Sequence, residues 1–166
     1  MTTLCAETDN RSFLAFPMNR GVSEDAIALQ RQATDLLEGF ARSVTIGEFY
    51  RNTRQSLAKA ADECSVENWD GYGAKAIDSS SYVNALYFSQ LLPVNILIPE
   101  IYVDPDGAVT FEWYVGPRQV FSVSMGSNNE LVYAGLFGAN KTHGTEHLDD
   151  ELPETILDNI HRVFSG

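Results

Sequence analysis

From Asp104 to Phe137 the chain runs through three strand-sized segments set apart by turn signals, and in the first two the apolar residues stand at every second position. Asp104-Pro105-Asp106-Gly107 presets a turn, because proline holds φ at about −65° in the second position and glycine accepts a positive φ. Val109, Phe111, Trp113 and Val115 then alternate with Ala108, Thr110, Glu112 and Tyr114, which gives one apolar strand face. Gly116-Pro117-Arg118 turns the chain into Gln119–Met125, where Phe121, Val123 and Met125 share a face. Gly126-Ser127-Asn128-Asn129 leads to a third strand, Glu130–Phe137. Connections this short join antiparallel strands, since a parallel pair needs a crossover of roughly a dozen residues. Two shorter candidates come earlier, Ile96–Ile98 and Ile101–Val103, split by Pro99 in a way that suits an edge. Gly138 opens a polar loop through Asp150.

Helical patterns flank this meander. Ser23 is a candidate N-cap for a first helix that carries Ile27, Leu29, Ala33, Leu36, Leu37 and Phe40 to about Arg42. Thr45 can cap a second, with Phe49, Tyr50, Leu57, Ala60, Ala61 and Cys64 on its stripe. Asp78 or Ser79 caps a third that Pro93 stops, with Tyr82, Val83, Leu86, Tyr87 and Leu91 as its apolar face. Leu152, Ile156, Leu157, Ile160, Val163 and Phe164 mark a closing helix, with Pro153 in its first turn. The pattern predicts an α+β domain over residues 23–166. Its N-terminal helices pack on an antiparallel meander of three to five strands, and a C-terminal helix follows. Residues 1–22 lack a sustained period; Leu14, Phe16 and Met18 alternate, so a mobile arm and a short docked strand are the alternatives.

Between the two halves stands Asn68-Trp69-Asp70-Gly71-Tyr72-Gly73-Ala74. Two glycines this close disfavour a helix, so Trp69, Asp70, Gly71, Tyr72 and Gly73 form a structural turn. Trp69 and Tyr72 can bury their rings, and Asp70 can accept from backbone N–H groups ahead of it.

The charge is unevenly spread. Residues 1–75 carry 8 Lys/Arg and 11 Asp/Glu, or −3; residues 76–166 carry 3 and 12, or −9, which together give −12. A field of that sign repels phosphate backbones, so no direct nucleic acid partner is expected. No run of apolar residues reaches the roughly 18 of a membrane span, and the amino terminus shows no secretory signal; a cytoplasmic protein is expected. Cys5 and Cys64 have no paired spacing that suggests a disulfide framework or metal site.

Trp-Asp-Gly-Tyr-Gly-Ala after a helix, Asp106-Gly107 with Glu112-Trp113, Tyr133-Ala134-Gly135, and Gly144-Thr145-Glu146 before a helix come in a distinctive order. Over roughly residues 60–165 the chain thereby resembles a group of small bacterial proteins with no established activity. The resemblance implies a bacterial or phage origin and a shared fold, and it carries no catalytic residue over.

The sharpest chemical candidate is His143-Gly144-Thr145-Glu146-His147, which has the inverted zinc-protease spacing. That chemistry needs both histidines on one helical face, and Gly144 and Thr145 are poor helix residues. Asp70 and Glu112 would make an acid/base pair only if the turn met the strand. Trp69, Tyr72, Phe111, Trp113 and Tyr133 could line a ligand pocket, although alternating aromatics in a sheet usually form core. There is no nucleophile elbow and no phosphate loop. No catalytic residue, cofactor or metal is therefore assigned.

The expected function is a non-enzymatic interaction protein that binds, and inhibits or neutralises, a protein partner with a basic surface. A phage-borne anti-defence inhibitor, an antitoxin and an immunity protein all fit that description. The expected contact residues are Asp104, Asp106, Glu146, Asp149, Asp150, Glu151 and Glu154. The alternatives are a small metal-dependent hydrolase using His143, Glu146 and His147, and a ligand-binding module.

Overall fold

The computed structural model of the protein describes residues 24–165, so the expectations for residues 1–22 and for Ser23 lie outside the described residues. The chain divides into two compact units, Met1–Ala41 and Arg42–Gly166. Eight elements follow in the order α1 (Glu24–Glu63), α2 (Ser79–Leu91), β1 (Glu100–Val103), β2 (Val109–Gly116), β3 (Gln119–Met125), β4 (Glu130–Phe137), β5 (Asn140–His147) and α3 (Glu154–Phe164). The class is α+β, with helices, a five-stranded antiparallel sheet in the order β1-β2-β3-β4-β5, and a C-terminal helix.

Within the first unit, the described residues belong to α1, and Ile27, Leu36, Leu37 and Phe40 are exposed on it. The break expected between Arg42 and Thr45 is absent, because α1 runs through it. Gly47 and the β-branched Val44, Thr45 and Ile46 each cost at most about 1 kcal/mol in a helix, and no proline forces a break.

In the second unit one face of the sheet is core. Val109, Phe111 and Trp113 of β2, Phe121, Val123 and Met125 of β3, and Leu131 and Phe137 of β4 are buried against Phe49 and Leu57 of α1. Ala85 and Phe88 of α2, and Ile156, Ile160 and Val163 of α3, join the same cluster. The aromatic rings pack closely: Phe88 meets Phe111 edge-on at 5.2 Å, and Phe121 stacks with Trp113 at 6.1 Å and Phe137 at 6.4 Å.

The buried side of α2 is rotated from the expected one. Ser81, Ala85, Phe88 and Ser89 are buried, whereas Val83 is exposed. Serine hydroxyls reach this core because the helix satisfies them: Ser89 Oγ donates to Leu86 O at 2.6 Å. Asp78 caps α2 by accepting from the Ser80 and Ser81 N–H groups.

Ile96–Ile98 is not a strand. Ile96 is buried, and the carbonyl of Leu97 accepts from Trp113 Nε1 at 3.0 Å. A larger correction concerns residues 140–147, expected as loop. Phe137 and Asn140 close a two-residue hairpin turn, and β5 pairs with β4 along its whole length. Thr142 and Thr145 suit a strand, and Gly144 admits Tyr133: a Cβ there would stand 2.6 Å from the Tyr133 hydroxyl.

The Trp69 loop joins the end of α1 to the sheet. Asp70 Oδ1 accepts from Tyr72 N at 2.8 Å and Ala74 N at 3.0 Å, and Asn68 Oδ1 accepts from Gly73 N at 2.7 Å. Gly71 and Gly73 take φ of 77° and 97°, the left-handed region that favours glycine. Beyond the loop, Lys75 N donates to Pro105 O, Ile77 N to Cys64 O, and Asp78 N to Gly107 O. Trp69 is half-buried rather than buried, packed on Ala60, Cys64 and Val103 with Nε1 donating to Lys75 O at 2.9 Å. Tyr72 is 95% exposed, because the left-handed glycines on either side turn it outward.

Candidate functional site

Antiparallel order sends alternate turns to opposite ends of the sheet. The β1–β2 turn at 104–107, the β3–β4 turn at 126–129 and the segment leaving β5 at 148–153 therefore share one end. All seven acidic residues expected to meet a partner come to that end. The turns at 117–118 and 138–139 lie at the other, roughly 24 Å away along strands of this length.

Every Lys and Arg after residue 76 lies at that second end. Arg118 is in the β2–β3 turn and Lys141 starts β5. The Arg162 guanidinium sits 4.4 Å from the centroid of Phe137, the last residue of β4. The sheet is thus electrically polar along its strands.

At the acidic end, Glu146, Asp149, Asp150, Glu151 and Glu154 line a cleft of about 870 Å³ together with Tyr87 of α2. Glu146 is half-buried at the end of β5, and the other four carboxylates are exposed. Leu148 N donates to Asn129 O at 2.8 Å, which ties the segment leaving β5 to the β3–β4 turn. Glu154 lies in the first turn of α3, whose N-cap Pro153 has no capping side chain, so one carboxylate serves the helix dipole. Tyr87 Oη donates to Asp150 Oδ1 at 3.2 Å. Burial raises the Tyr87 pKa, and the hydrogen bond and negative charge of Asp150 add to the shift. Among the described residues, no cation forms an ion pair with these five carboxylates; the described ion pairs, Glu48–Arg51 and Lys59–Glu63, lie on α1.

Asp104 and Asp106 lie on the other side of the β3–β4 turn and do structural work. Asp104 Oδ2 accepts from Thr110 Oγ1 at 2.6 Å and Ser124 Oγ at 3.0 Å, and Asp106 Oδ1 accepts from Ala108 N at 3.1 Å. Asp106 lines a second cleft beside Lys75, so that cleft is of mixed sign.

The other candidates are dispersed. In β5, His143 and His147 share a face with about 13 Å between their Cα atoms, while Glu146 points to the opposite face. The inverted zinc-protease spacing works through a helix, and on a strand it separates the three groups. Among the described residues no group of His, Cys, Asp and Glu is arranged to hold a metal ion. Asp70 is bound into its own loop, and Glu112 lies on the sheet face away from the core, accepting from Tyr102 Oη at 3.3 Å. Phe111 and Trp113 are core, Tyr133 packs partly against it, and Trp69 and Tyr72 stand in the loop, so the five aromatics line no common pocket. Sequence reasoning missed Tyr87 as part of the site; its one signal was a phenol at the margin of an apolar stripe.

No described helix is long and apolar enough to cross a membrane. Comparison with protein-family models, with curated proteins and with solved structures gave no match.

Proposed function

We propose that this protein is a non-enzymatic binding protein whose acidic end occludes a basic surface on a protein partner, in the manner of an inhibitor, antitoxin or immunity protein. The observation that carries this reading is the cleft at the end of β5, where five carboxylates stand together with no cation in ion-pair reach among the described residues. A helix start uses one or two carboxylates. The remainder represent like-charge repulsion that the fold tolerates and a cationic partner would relieve. The separation of His143, Glu146 and Asp70–Glu112 into different places supports binding over hydrolysis.

The test is capture from bacterial host extract on immobilised wild-type protein and on an Asp149→Asn, Asp150→Asn, Glu151→Gln variant. The expected result is a basic protein retained by the wild type, lost from the variant, and recovered when both purified proteins are mixed. Equal retention on the two columns would contradict the proposal.

A further inference from the structure

Among the described residues β5 is an edge strand, eight residues long. Natural edges are usually kept short, bulged or broken by proline, which prevents sheets from joining. The opposite edge follows that rule, since β1 has four residues and stands between Pro99 and Pro105. Charge, a further device that blunts an edge, is confined on β5 to Lys141 and Glu146 near its two ends. β5 contains no proline, and its register with β4 is unbroken from Phe137↔Asn140 to Glu130↔His147.

The hydrogen bond from Leu148 N to Asn129 O fixes which groups of β5 are used. In an antiparallel ladder bonded and non-bonded pairs alternate, so Asn140, Thr142, Gly144 and Glu146 direct their N–H and C=O groups to β4. Lys141, His143, Thr145 and His147 direct theirs outward from the edge. Their side chains lie on the sheet face away from the core, in line with Glu130, Val132, Ala134 and Leu136.

We propose that this edge pairs with β5 of a second copy of the chain, antiparallel about Gly144, so that the sheet continues across a two-fold axis. In that register all four outward residues enter bonded pairs, Lys141 with His147 and His143 with Thr145 of the mate. Thr142 stands opposite Glu146, and Gly144 opposite Gly144, where the Cα spacing is closest and no side chain intrudes. No like charges stand opposite one another at neutral pH. The electrical polarity of the sheet selects a second copy over a foreign strand. Antiparallel pairing brings the end holding Lys141 and Arg118 of one molecule beside the end holding Asp149 and Asp150 of the other. Two molecules of net charge −12 still repel at longer range, so added salt strengthens the dimer. The contact draws on Asp149 and Asp150, which the partner reading also uses, and salt tells the two apart: it strengthens this dimer and weakens association with a cationic partner.

Sedimentation velocity on the full chain, across about 10–300 µM and at low and high salt, tests it. The wild type is expected to form a reversible dimer favoured by high salt. Thr145→Pro removes an outward N–H that β4 does not use and is expected to be monomeric with an unchanged far-ultraviolet spectrum. Thr145→Lys keeps every backbone donor and sets a new cation near His143 and Lys141 of the mate. Because the axis repeats that contact, the dimer dissociation constant should rise about tenfold. If Thr145→Pro unfolds, Thr145→Lys decides. A wild type that stays monomeric throughout, including one whose edge takes a strand from another protein, would overturn the proposal. So would a dimer that Thr145→Lys leaves equally tight.

Discussion

Trp69 illustrates what one side chain does at the joint between helix and sheet. Its ring covers Ala60, Cys64 and Val103, and its Nε1–H closes the loop on Lys75 O. Because the ring is half-buried, Trp69→Ala should cost about 2 kcal/mol in chemical denaturation, below the usual range for a fully buried tryptophan. A change within about 0.5 kcal/mol of wild type would remove the joint's importance. The two glycines, Asp70 and the indole made this loop legible in sequence, since each has a local job. The orientation of Tyr72 was not legible, because φ > 0 on either side decides it and residue type does not. Tyr102 offers a second test at this scale. Burial pushes its pKa from 10.0 up to about 12, with the Glu112 charge and hydrogen bond adding to the shift. The fold therefore holds a proton that the unfolded chain releases. This contribution to stability is fully present below pH 10 and is lost as pH rises towards about 12. Tyr87 is raised as well, so phenolate absorbance during alkaline titration should show more than one tyrosine ionising late, and Tyr102→Phe should remove the step near pH 12 while leaving that of Tyr87.

At the scale of elements, β2 and β3 were legible because Val109, Phe111 and Trp113, and Phe121, Val123 and Met125, alternate inward, although a register shift after Tyr114 leaves Val115 exposed rather than on the apolar face. β4 was legible as an apolar run, and all three end at glycine-bearing turns. β5 was not, because the edge it occupies buries little. Its residues alternate between exposed and half-buried, so the period-two signal that apolar residues give is absent. The length of α1 was illegible for a different reason: weak local preferences at 43–47 look like a break, yet none of those residues forbids a helix as a proline would. The strand assignment has a direct consequence for the histidines. His143 and His147 are exposed on the outer face, so His143→Ala with His147→Ala should leave stability within about 0.5 kcal/mol of wild type. A loss of several kcal/mol, or zinc-dependent melting that the double variant abolishes, would contradict β5 as an ordinary strand.

For the whole molecule, composition reveals the −9 of the second half, and topology decides where it goes. Nothing in the spacing of Asp104, Asp106 and residues 146–154 says that they come to one end of the sheet. They do so because a five-stranded meander returns its first and third turns, and the exit of its last strand, to one end. The same geometry collects Arg118, Lys141 and Arg162 at the other end, which leaves the acidic cleft unneutralised along the sheet. Such a field acts on approach more than on the formed complex. The decisive measurement is the association rate with the purified partner across a salt series, for wild type and for the Asp149→Asn, Asp150→Asn, Glu151→Gln variant. The account predicts a wild-type on-rate that falls at least about tenfold from low to physiological salt, a variant that is slower and much less salt-dependent, and off-rates that change little. A wild-type on-rate indifferent to salt, or a variant that associates as fast as wild type, would contradict it.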